Sequence, residues 1–148
     1  GGEVLLPREE TRMRRERTFQ KAISSLGGVF EFLADCLAEE DLGEEIEFCL
    51  DFVLEEIFTN LVKHNESSRN EVLVAVEPAR DRVLVELTDF EVEPFDPDTA
   101  PEVDVSAPLE ERSPGGLGLH LVKSMVDKLT YEYRDRNLRV TICKNVSR

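Results

Sequence analysis

The hydrophobic period of this 148-residue chain changes at about residue 70, and no other feature constrains its fold as much. Over residues 15–38 the apolar side chains Phe19, Ile23, Leu26, Phe30, Leu33 and Leu37 recur in steps of 4, 3, 4, 3 and 4. That spacing is one face of an amphipathic helix. Gly27 and Gly28 weaken such a helix by roughly 1 kcal/mol each relative to alanine, which suits close packing there. After a break at Asp41, Leu42 and Gly43, a second helix is expected over residues 44–63, burying Ile46, Leu50, Val53, Leu54, Ile57 and Leu61. Asn65, Glu66, Ser67 and Ser68 end it with turn chemistry. From residue 71 the period is two. Residues 71–77 and 82–89 alternate, with Val72, Val74, Val76 and then Val83, Val85, Leu87 on one side, and read as a β-hairpin.

Residues 90–114 carry five prolines and no period. A loop of roughly 25 residues in a compact domain is usually a lid, a binding loop or disorder. A third helix follows Gly118, with Leu121, Val122, Met125, Val126 and Leu129 as its stripe, and two strands over residues 130–134 and 138–143 turn at Asp135, Arg136 and Asn137. The expected architecture is α+β: a two-layer α/β sandwich with three main helices on a mixed, mostly antiparallel sheet. The reading is a single domain over residues 1–148, with residues 1–14 as a flexible or edge segment.

Charge narrows the functions. The chain has 32 acidic and 18 basic residues, a formal net charge of −14. Binding to nucleic acid or to anionic membranes rests on Lys and Arg neutralising phosphate, so neither is expected. The charge is segregated: 11 acids lie between Glu31 and Glu56, and no base falls between Lys21 and Lys63. Nine more acids and no base lie between Asp89 and Glu111. The first acidic interval would suit a basic partner protein. Cys36, Cys49 and Cys143 have no metal-site spacing and read as small buried thiols. No apolar run approaches the roughly 18 residues of a membrane span, and a cytoplasmic protein is expected.

Three places could carry chemistry. Glu56 and Asn60 are i,i+4 neighbours at the edge of the second helix's apolar stripe. A carboxylate and an amide so placed could act as a base beside a hard, oxygen-loving cation, although the same pair occurs by chance on solvated faces. Gly115, Gly116 and Gly118 lead into the third helix, where free backbone N–H groups point at an anion with the helix dipole behind them. No lysine follows them as in a Walker loop, and the third glycine of a dinucleotide fingerprint is missing. Asp89 ends the second hairpin strand, where a carboxylate can accept from an exocyclic amine or simply form a turn. Ser113 and His120 flank the glycines without a nucleophile elbow, so serine hydrolysis is not expected.

The order of these elements, carried by EEIFTNLVKHN (55–65), TDFEVEPFDP (88–97), LEERSPGGLGLHLVKSMVDKLTYEY (109–133) and NLRVTICK (137–144), resembles the GHKL, or Bergerat-fold, ATP-binding superfamily. Within it the chain is similar to the RsbW-like anti-sigma-factor and serine-kinase branch. The resemblance implies a histidine-kinase-like ATPase fold with residues 90–115 as an ATP lid, and ATP and Mg²⁺ as cofactors. It implies Glu56 as general base and Asn60 as the metal ligand, with Lys63 as a helper. It further implies Asp89 as the adenine-recognising carboxylate, aided through water by Thr141. Gly115, Gly116, Leu117, Gly118, Leu119 and His120 would cradle phosphate, and Arg112 would neutralise its charge.

The implied activity is phosphorylation of an anti-sigma-factor antagonist of STAS type, with sequestration of a sigma factor, and the resemblance leaves room for a homodimer. One departure stands out. The superfamily's Asp-x-Gly reads Asp89, Phe90, Glu91 here, adding bulk and negative charge where glycine allows close approach. The alternative to a kinase is a partner-switching binding module with a degenerate nucleotide site.

Overall fold

A computed structural model describes residues 14–40, 42–64, 69–92 and 116–146, with the side chains of His64 and residues 116–120 left aside. Five strands form one sheet: β1 (Arg15–Gln20), β2 (Glu71–Pro78), β3 (Arg82–Asp89), β4 (Lys128–Arg134) and β5 (Asn137–Asn145). Their spatial order is β1-β2-β3-β5-β4, and every pairing is antiparallel. Among the described residues, three α-helices accompany it: α1 (Leu26–Leu37), α2 (Glu44–His64) and α3 (Gly116–Met125).

The alternation read from the hairpin sets the layers. Val72, Val74 and Val76 of β2, Val83, Val85 and Leu87 of β3, and Leu138, Val140 and Ile142 of β5 are buried in the core. They pack with Val29, Phe32 and Leu33 of α1 and Leu50, Val53, Leu54, Ile57 and Phe58 of α2. The result is the expected α+β sandwich of helices on a sheet.

The helix expected over residues 15–38 divides in two. Its first part is β1, followed by a 3-10 turn at Ile23–Ser25 and then α1. Six residues with Thr18 and Phe19 complete a hydrogen-bonded ladder along β2, with Phe19 opposite Val72, and that pairing outweighs a helical spacing. Phe19 then packs edge-on against Phe32, with ring centroids 6.0 Å apart, while Ile23 is 47% exposed. A Cβ added at Gly28 would stand 3.3 Å from the Phe19 ring, so the strand and α1 approach closely at that glycine.

Helix α3 also ends earlier than its apolar stripe. The Met125 carbonyl accepts from Lys144 Nζ at 2.8 Å and Cys49 Sγ at 3.4 Å, satisfying an orphan acceptor of the last turn. Leu129 is therefore a buried residue of β4. The hairpin between β4 and β5 turns through Asp135 (φ 55°) and Arg136 (φ 68°), the left-handed pair that a two-residue loop demands. Cys36 and Cys49 are buried, and burial pushes both thiols up; Cys143 is only half-buried.

Candidate functional site

The segment after β3 is fixed residue by residue. Asp89 is fully buried, and its two carboxylate oxygens accept from Lys21 Nζ at 3.0 and 2.8 Å. The Arg69 guanidinium lies 4.1 Å from the centre of the Phe90 ring. Glu91 donates its backbone N–H to Asn137 Oδ1 at 3.1 Å, and its φ of 52° is left-handed. Val92 donates to the Arg136 carbonyl at 2.8 Å and accepts from the Tyr133 hydroxyl at 3.1 Å. The β4–β5 turn thus anchors the start of the loop. The glutamate keeps the backbone conformation that glycine would adopt without strain.

Helix α2 carries Glu56 and Asn60 on its C-terminal half. Its beginning is tied through Cys49 to Met125, beside Lys144 of β5. Its other end, His64, lies shortly before Glu71, and the neighbouring Val72 pairs with Asp89. Glu56 and Asn60 are half-buried at the border of the stripe made by Ile57, Phe58 and Leu61. Among the described residues, Asn60 Nδ2 is buried without a hydrogen-bond partner. A buried amide left unpaired is costly, and a 180° turn of the group offers its oxygen at the same place.

That unpaired amide suits a Mg²⁺ site of the usual kind. Mg²⁺ is commonly held by one or two protein ligands, with waters and substrate phosphates completing the shell. Among the described residues no group of three or more His, Cys, Asp or Glu could form a cage. The fit is to a metal shared with a phosphate ligand.

The glycines fall differently from a loop. Helix α3 begins at Gly116, so Gly116, Leu117, Gly118, Leu119 and His120 are its opening residues. The first N–H groups of a helix lack intrahelical partners and carry the positive end of its dipole. Lys63 is exposed on the last turn of α2. Arg112, Gly115 and residues 93–115 of the expected lid lie outside the described residues.

Thr141 does not join this group. It pairs with Glu86, whereas Asp89 pairs with Leu138, three residues away on β5. Successive side chains of a strand point to opposite faces, so Thr141 lies on the sheet face away from Asp89. The expected water-mediated partnership is corrected accordingly. Lys21, counted in the sequence only as a charge, forms an ion pair with Asp89. Its signal was faint: a lone base closing the basic segment, before a long stretch without one.

The model for the histidine kinase-like ATPase domain family matches residues 19–144. Among solved structures, the RsbU and RsbW domains of Rv1364c from Mycobacterium tuberculosis match with a TM-score of 0.66 and 16% identity. The match covers 92% of this chain and 33% of that one, so the chain spans about a third of that chain's length. No curated protein gives a significant match.

Proposed function

As the chain belongs to the histidine kinase-like ATPase domain family, we propose that it binds Mg-ATP at a site built from α2, β3 and the start of α3 and phosphorylates a serine or threonine of a partner protein. The observation that carries this reading is the buried Asn60 amide, unpaired among the described residues and one turn from Glu56. Asn60 would hold Mg²⁺, which supplies charge neutralisation of the phosphates when bound. Helix α3 packs on α2, where the Met125 carbonyl accepts from Cys49 Sγ. The opening N–H groups of α3 would then bind phosphate, and Lys63 and Arg112 would add positive charge.

Glu56 takes the proton of the attacking hydroxyl. The hydroxyl oxygen bonds to the γ-phosphorus, the bond from that phosphorus to the β–γ bridging oxygen breaks, and ADP leaves with those electrons. Positioning and electrostatics carry such a transfer, because little covalent work falls to the protein.

The partner in this reading is an anti-sigma-factor antagonist of STAS type, with a sigma factor as the alternative occupant of the same surface. Its support is the fold likeness to an RsbW domain and the acidic opening turn of α2. Glu44, Glu45 and Glu47 lie there beside Phe48, which is 70% exposed. Incubation with Mg-ATP and candidate antagonists tests the kinase reading. Phosphoserine should form with the wild type and disappear in Glu56→Ala; retained transfer in that variant refutes the base assignment.

Glu91 favours a second reading, a binding module that has lost phosphoryl transfer. Its carboxylate-bearing side chain is exposed beside Asp89, where it repels a polyanion. Nucleotide binding without any phosphoprotein product would select that reading.

A further inference from the structure

The Asp89 carboxylate has no open edge. Both oxygens accept from Lys21 Nζ, and the two side chains are 0% and 4% exposed. A base amine that reaches this fully buried carboxylate has to displace what covers it, the Lys21 ammonium foremost. The backbone of Lys21 is pinned, since its N–H donates to the Asn70 carbonyl at 3.0 Å and the next N–H, of Ala22, donates to Gln20 at 2.8 Å. What can move is the lysine side chain, four methylenes long with several rotamers.

Resting on the nucleotide-binding reading above, we propose that Lys21 is an internal occupant of the purine position and sets the affinity and selectivity of the site. With Lys21 in, Asp89 is sheltered and compensated. With Lys21 out, the carboxylate accepts from the purine's exocyclic amine and the ammonium returns to water. Nucleotide binding carries the cost of opening a buried ion pair, and that cost is subtracted from affinity. The device needs no movement of the sheet.

Calorimetric titration of the wild type and Lys21→Ala with Mg-ATP tests it. The alanine variant clears the space and should bind at least about tenfold more tightly, about 1.4 kcal/mol. Equal or weaker binding by the folded variant overturns the proposal. A second measurement needs no variant: the ammonium resonance of Lys21, visible by NMR while sheltered from water, should shift or vanish at saturating Mg-ATP. An unchanged resonance in ATP-saturated protein also overturns it, leaving the nucleotide site itself intact. If neither protein binds Mg-ATP, the nucleotide-binding reading fails and this inference fails with it.

Discussion

One ammonium, Lys21 Nζ, holds both carboxylate oxygens of Asp89, at 3.0 and 2.8 Å, with both side chains buried. The pair joins the end of β1 to the end of β3 across the β2 strand between them. Removing one partner leaves an uncompensated buried charge. Lys21→Ala and Asp89→Ala should each lower stability by roughly 3–5 kcal/mol. The double variant should lose clearly less than the sum, because each single change already breaks the shared interaction. Urea denaturation of the four proteins checks this; additive losses would mean that the pair contributes nothing as a pair.

Among the described residues, three other than glycine (Glu91, Asp135 and Arg136) carry left-handed backbone at sharp turns near the site. Glu91→Gly and Arg136→Gly should each raise stability by about 0.5–1 kcal/mol, since L-residues are disfavoured at positive φ. Only Glu91→Gly should also tighten Mg-ATP binding, because it removes a negative charge beside Asp89. Thermal melting with and without Mg-ATP separates the two effects.

The neighbouring glycines of α1 should respond in opposite ways. A Cβ at Gly27 meets nothing within 4 Å, so Gly27→Ala should stabilise by about 0.4–1 kcal/mol. A Cβ at Gly28 meets the Phe19 ring at 3.3 Å. Gly28→Ala should gain less or destabilise, as β1 and α1 are pushed apart. Equal gains at both positions in chemical denaturation would count against the close approach.

Desolvation, with Glu47 adding to it, pushes the Asp51 carboxyl up to about 6. One of its oxygens, Oδ1, is buried without a partner among the described residues. A folded value above the unfolded one stabilises the fold at low pH, and that stability is lost as pH rises through about 6. Asp51→Asn mimics the protonated form. It should be more stable than the wild type at neutral pH, and the difference should shrink as the pH is lowered through the same range. A difference independent of pH would contradict the shift.

Much of the fold was legible from period alone. The alternation of Val72 to Val76 and Val83 to Leu87 placed β2 and β3, and the spacing of Leu50 to Leu61 placed α2. Strand β1 was hidden because Phe19 and Ile23 also fit a helix, and only the open edge of β2 decides between the two. The face of Thr141 was readable, since Leu138, Val140 and Ile142 alternate around it. The Lys21–Asp89 pair was not: it joins residues far apart in sequence, and no local pattern marks a lysine that will be buried. Glu56 and Asn60 were visible as an i,i+4 pair, but not that the Asn60 amide would be left unpaired.

The central claim is that Asn60, Glu56 and Asp89 belong to one Mg-ATP site. Titrating the wild type and Asn60→Ala with ATP, with and without Mg²⁺, tests it most directly. The wild type should show Mg²⁺-dependent binding that Asn60→Ala abolishes while keeping its fold. No heat from the wild type at millimolar Mg-ATP, or unchanged affinity in Asn60→Ala, would contradict it.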